Sequence, residues 1–222
     1  MPKIPVSQER KQKKTFTEQE PSVDTFDAIQ TRRSIRNFIE KPVEDEKLQR
    51  ILKAVRMAPS WGNIQCWRLI VIRDSRTRKA ISELTGSFDK SFRYVPKTNP
   101  AKRGIVEAPV LIAVCADPSQ FGPLQSKHYY MVDIGIATQN LMLSARALGL
   151  GTVFVGVFDE EKVRRLLNVP SNIRVVGLFP LGHPRKAKDR GPSRKPLHEF
   201  VFHEKWGKRL RTDPDSARGA ES

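Results

Sequence analysis

Apolar and polar positions change period several times along this chain. Leu48, Ile51, Leu52 and Val55 recur at helical spacing, which predicts a helix beginning after Pro42 and ending at Ala58-Pro59-Ser60. The acids Glu44-Asp45-Glu46 suit its positive end. A shorter helix through Phe26 and Ile29 is predicted upstream, with Asp24 as its cap. Residues Trp67 to Arg73 read as a strand and Ser75 to Leu84 as a helix closed by Gly86. Residues 86–104 have no clear period and read as irregular. Val110 to Ala116 is continuously apolar, the mark of a strand covered on both faces. The strongest helical signal runs from Tyr130 to Leu148 and stops at Gly149. Gly151 to Phe158 reads as a strand, Glu160 to Leu167 as a helix capped by Asp159, and Arg174 to Leu181 as another strand. Long single helices between strands point to a mixed α/β or α+β sandwich in one domain.

Composition adds limits. A length of 222 residues suffices for one sizeable core, as one large domain or two small ones. The 38% hydrophobic content is too high for wholesale disorder. Two cysteines, Cys66 and Cys115, exclude a disulfide scaffold and a four-cysteine zinc site, and both sit in apolar strands as small buried side chains. His128, His183, His198 and His203 lack zinc-type spacing. No apolar run is long enough for a membrane span, and the basic start lacks the apolar segment of a secretory signal, so a cytoplasmic location is expected.

The formal net charge of +16 suggests an anionic partner: nucleic acid, membrane or a phosphorylated ligand. The charge is segregated. Residues 1–14 carry +4 and residues 185–211 carry +7. The expected organisation is a poorly ordered basic tail over 1–22, a folded domain over 23–207 and a loose end over 208–222.

Four short elements carry candidate chemistry. Arg32-Arg33-Ser34-Ile35-Arg36 groups guanidinium and hydroxyl donors suited to phosphate, although such a cluster taken alone is more often a solvated face. Pro59-Ser60-Trp61-Gly62-Asn63-Ile64-Gln65 places uncharged donors and acceptors in one loop, suited to a planar heterocycle or merely to a turn. Gly149-Leu150-Gly151-Thr152 follows the long helix, where glycine serves either close backbone approach to a ligand or simple capping. Gly191-Pro192-Ser193-Arg194-Lys195-Pro196 is a second basic cluster. The glycines around 149–156 do not make a dinucleotide fingerprint, and no phosphate-binding Walker loop or nucleophile elbow is present.

In this order the four elements resemble the FMN-dependent nitroreductase family over most of residues 24–207. The Asp133-Ile134-Gly135-Ile136-Ala137 helix, Gln139-Asn140-Leu141 and Leu181-Gly182-His183-Pro184 add to the likeness. The resemblance implies the α+β form of the sandwich, a central mixed, mainly antiparallel sheet flanked by helices, with a C-terminal arm exchanged in a homodimer. It also implies two FMN sites at the dimer interface, NADH or NADPH as hydride donor, and a small acceptor such as a nitroaromatic or quinone in a ping-pong cycle.

Residue by residue, the resemblance places Arg32, Arg33 and Ser34 at the phosphate, with Arg36 nearby, and Arg194 with Lys195 as a late phosphate contact. It places Ser60, Asn63 and Gln65 against the isoalloxazine, with Pro59 and Ser60 supplied by the partner subunit. Val155, Gly156 and Val157 match the strand whose backbone faces the hydride-accepting side. Some relatives carry a glutamate near there; this chain has Gly156 and Val157, which leaves backbone amides for that role. No residue stands out as a catalytic acid. Phe88, Phe92, Tyr94, Phe121, Tyr129 and Tyr130 are candidates for an aromatic substrate wall or for core packing. Same-fold alternatives are reductive dehalogenation and flavin breakdown. A nucleic-acid-binding module is the alternative from another class, but no recognised motif supports it.

Overall fold

The computed structural model describes residues 23–86, 99–186 and 191–209. They divide into two compact units, with the boundary between Ala187 and Lys188. The first contains helices α1 (Thr25–Thr31), α2 (Asp45–Arg56), α3 (Ser75–Glu83), α4 (Ala101–Glu107), α5 (Tyr129–Ala147) and α6 (Glu160–Leu166). Its strands are β1 (Trp67–Ile72), β2 (Val110–Ala116), β3 (Gly151–Thr152) and β4 (Arg174–Gly182). They form one antiparallel sheet in the order β1-β2-β4-β3. The only parallel pairing among the described residues is an isolated bridge between Ser34 and Thr152.

β2 is buried along its whole length, which explains its unbroken apolar run. Val110, Ile112, Val114 and Ala116 face one core, shared with Leu48, Ile51 and Val55 of α2 and Ile134, Ala137 and Leu141 of α5. Leu111, Ala113 and Cys115 face a second core with Ile81 of α3, Ile105 of α4 and Val163 of α6. The fold is therefore an α+β sandwich, with helices on both faces of the sheet.

The caps read from sequence hold. Asp24 accepts from the Phe26 amide at 2.8 Å, and Asp159 from the Lys162 amide at 3.0 Å. α5 ends in a Schellman motif: Leu150 N–H donates to Ala145 O at 2.8 Å, Gly149 N–H donates to Arg146 O at 3.1 Å, and Gly149 has φ +73°. Gly149 is thus a cap.

Two expectations change. α4 falls partly inside the segment read as irregular. Its period is interrupted by Gly104, where a Cβ would lie 3.0 Å from the Arg36 carbonyl oxygen. The glycine allows the 36–38 segment to pack on the helix. Second, Gly151 to Phe158 is not one strand. Pairing holds at Gly151–Gly182 and Thr152–Leu181, lapses, and returns in the same register at Val155–Leu178. The missing rung falls at Pro180, which has no N–H to give.

The second unit contains a short 3-10 turn, Leu197–Glu199, and an isolated bridge between Phe202 and Arg209. Phe202 and Trp206 pack as a tilted pair with centroids 4.6 Å apart.

Candidate active site

The basic segment after α1 is held against β3. Ile35 N–H donates to Thr152 O at 3.0 Å, beside the Ser34–Thr152 bridge. Gly151 makes this approach possible, since a Cβ there would lie 2.8 Å from the Ile35 side chain. The glycine serves chain packing, a use distinct from the ligand approach considered from sequence. The Arg33 guanidinium folds back on the end of α1. Its Nη1 donates to Gln30 O at 2.6 Å and Arg32 O at 2.8 Å, where the helix presents its negative end. Its Nε is buried without a hydrogen-bond partner, and so is Thr152 Oγ1. Arg36 Nη1 reaches Ser34 O at 3.4 Å. Among the described residues, neither Arg33 nor Arg36 is paired with a carboxylate.

The 59–65 loop is organised by a buried acid. Asp133 on α5 is 2% exposed and accepts from the Trp61 amide through both carboxylate oxygens, at 3.1 and 3.3 Å. Ser60 Oγ accepts from the Gln65 amide at 3.0 Å, and Gln65 Nε2 donates to Asn63 Oδ1 at 2.9 Å. Asn63 and Gln65 both adopt left-handed backbone, with φ +57° and +53°. Such a conformation is costly for a side-chain-bearing residue and persists where surrounding contacts impose it. Pro59 is exposed and Ser60 half-buried. Burial, and then the neighbouring Asp133, pushes the Cys66 thiol up to about 11, which disfavours the thiolate at neutral pH.

Val155 spends its backbone on the sheet, exchanging hydrogen bonds of 2.9 Å with Leu178 in both directions. Gly156 and Val157 follow, both exposed. Among the described residues, neither of their amides has a backbone partner. Gly156 borders a cavity of about 220 Å³ that also touches Tyr130, Phe158 and Val176. Glu160 and Arg174 close one side as a two-pronged pair, at 2.7 and 2.8 Å. That pairing holds the Glu160 carboxyl below its usual range.

A model of the nitroreductase family matches residues 29–183, most of the chain. The chain belongs to the nitroreductase family. A relative from Archaeoglobus fulgidus, provisionally named NADH dehydrogenase/NAD(P)H nitroreductase, is 39% identical over 168 residues, covering 72% of this chain and 86% of its own length. An FMN reductase [NAD(P)H] from Bacillus subtilis is 29% identical, covering 76% of this chain and 69% of its own length. The crystal structure of a nitroreductase family protein from Clostridium novyi NT superposes with a TM-score of 0.68 at 28% identity, covering 85% of this chain and 97% of that one.

Within this nitroreductase-family fold, the first unit attaches the two loops singled out from sequence to different ends of α5. Arg32–Arg36 joins the far end of α5, where Arg146 Nε donates to Thr31 Oγ1 at 2.9 Å. Ser60–Gln65 joins its near end, at Asp133. Those two attachment points are about 20 Å apart along the helix. Arg194 and Lys195 lie in the second unit. There Arg194 Nη1 donates to Pro192 O at 2.8 Å, and Lys195 lies 3.8 Å from Glu199.

Of the candidate wall aromatics, Phe121 and Tyr130 are core residues. Tyr129 packs on that core and lies 6.2 Å, centroid to centroid, from the exposed Trp61. Phe88, Phe92 and Tyr94 lie outside the described residues, as does the tail over 1–22. Asp133 and Thr152 escaped the sequence reading as site residues. The signal for Asp133 was an acid inside an otherwise apolar helix face.

Proposed function

We propose that this chain is an FMN-dependent NAD(P)H oxidoreductase that reduces a nitroaromatic, quinone or similar small acceptor, with donor and acceptor using one pocket in turn. Bound FMN supplies hydride acceptance from NAD(P)H and hydride delivery to the acceptor. The residues of the chain bind, orient and set charge.

One observation carries this reading. At the Ser34–Thr152 bridge, Arg33 Nε and Thr152 Oγ1 are both buried without partners. Buried polar atoms rarely lack partners, and a bound anion is one explanation when they do. The donor set fits the FMN phosphate: Arg32, Arg33 and Ser34, with Arg36 beside them. We assign Arg194 and Lys195 to the same phosphate. We assign Ser60, Asn63 and Gln65 to the polar edge of the ring, with Pro59 and Ser60 supplied by the partner subunit. Val155 has no free amide, so the amides of Gly156 and Val157 are the ones left to face the ring and stabilise negative charge there.

The separation along α5 supports a homodimer, because a second copy can bring one chain's 59–65 loop to the other chain's basic bridge. Met131, Val132 and Ile136 form an exposed apolar stripe on α5, as a paired helix would need. We further assign the flavin-binding domain to residues 23–207, its C-terminal arm to an exchange in that dimer, and the protein to the cytoplasm. Among the described residues, no helix is long and apolar enough to cross a membrane.

The test is to denature the purified protein, identify the released chromophore, and follow anaerobic bleaching by NADH and by NADPH, then recovery with nitrofurazone or a quinone. Arg33→Ala is expected to weaken FMN binding about tenfold or more, with no rescue by lysine, which cannot offer a planar fork. Protein that stays colourless with added FMN overturns the reading. Turnover of a halotyrosine in place of the nitro compound and quinone reassigns the chain to reductive dehalogenation.

A further inference from the structure

A larger cavity lies away from the 59–65 loop. It encloses about 600 Å³ where the 38–43 segment, the start of α3, the end of α4 and the start of β2 meet. β1 separates it from the 59–65 loop: that loop precedes Trp67, whereas Arg73 at the cavity follows Ile72, roughly 17 Å further along the strand. Phe38, Val43, Pro109 and Val106 give it apolar walls.

Its charges do not balance. Lys41, Arg73, Arg78 and Arg185 line it against Glu40 and Glu107. Three of the cations have acids nearby: Lys41 lies 3.5 Å from Glu44, Arg73 pairs with Asp45, and Arg185 lies 3.8 Å from Glu107. Glu107 is itself committed to the Phe38 amide at 2.9 Å and to Arg103. Arg78 is the exception. It is 8% exposed and has no carboxylate partner among the described residues. Its Nη1 donates to Arg73 O and, at 3.4 Å, to Pro109 O, while its Nε is buried with no partner. Burial lowers its affinity for the proton, opposed only by Asp74. A buried cation with no carboxylate at ion-pair distance is costly, and an anion in the adjoining space relieves that cost. Nothing in the reduction chemistry uses this residue.

We propose that this cavity is a second binding site, for a small molecule bearing a carboxylate or phosphate on an apolar body, with the anion beside Arg78 and the body against Phe38, Val43 and Val106. Recognition is charge-assisted at one end and hydrophobic at the other, the usual make-up of a small-molecule pocket.

The test uses the full chain saturated with FMN, so that the phosphate site assigned above is filled. Phenyl phosphate and benzoate are titrated separately by calorimetry, and the probe that binds identifies the anion type. One binding event per chain at this cavity is expected, weakened about tenfold or more by Arg78→Gln. Val106→Glu places a like charge at the rim, at a position 45% exposed, and is expected to weaken binding similarly. Heats from neither probe up to about 10 mM, or a titration unchanged in Val106→Glu, overturn the proposal.

Discussion

Removing the Asp133 carboxylate tests whether one buried acid sets the shape of the 59–65 loop. The group is 2% exposed, sits on α5, and takes the Trp61 amide across 72 residues of chain at 3.1 and 3.3 Å. A hydrogen bond to a charged acceptor contributes about 1.5–3 kcal/mol, and a neutral one about 1 kcal/mol. Asp133→Ala removes the acceptor altogether and leaves a small void. The expected loss is about 2–3 kcal/mol, which for a chain of this size lowers Tm by roughly 4–12 °C. Asp133→Asn keeps the shape and a carbonyl acceptor while sparing the fold a desolvated charge, so its cost is expected below about 1 kcal/mol. Urea unfolding of both variants measures the difference, and Cys66 provides an independent readout. Its thiol stands at about 11 because of burial first and Asp133 second. Both substitutions are expected to lower that value while leaving it above the ordinary thiol range, as seen in the pH dependence of alkylation. Equal stability losses in the two variants, or an unchanged Cys66 profile, refute the reasoning.

Two further predictions concern the neighbouring elements. Glu160 is held below its ordinary range first by its hydrogen bond to Arg174, so its contribution is present above the unfolded carboxyl value and disappears as pH falls through the folded one. Glu160→Gln is therefore expected to destabilise at pH 7, with the gap to the parent closing below about pH 4; a gap independent of pH in urea titrations contradicts this. Gly151→Ala forces a methyl to within 2.8 Å of Ile35, and a cost of about 1–3 kcal/mol is expected, partly rescued by Ile35→Ala in the same chain. Purely additive losses in the double variant exclude the contact as the cause.

The extent to which the chain was legible from its sequence follows from the range of the interactions involved. The α5 stripe, the two-sided apolar run of β2 and the caps at Asp24 and Asp159 are local patterns, set within a few residues by helical or pleated geometry. The basic cluster at 32–36 and the polar loop at 59–65 were visible as residue types for the same reason, and their order resembled one family, which the family match bears out.

Tertiary structure decided the rest, where the partner is far away in the chain. Gly104 and Gly151 are small because Arg36 and Ile35 approach them. Asp133 matters because Trp61 turns its amide toward it, and the strand read through Gly151–Phe158 lapses because Pro180, on another strand, cannot donate. Arg78 reads in the sequence as one more helix cation; only packing reveals that it is buried, with its Nε lacking a partner among the described residues. Periodicity reports the face an element buries, because that depends on its own geometry. What the face meets depends on contacts between distant parts of the chain, and that is where charge, strain and the candidate sites of this protein were settled.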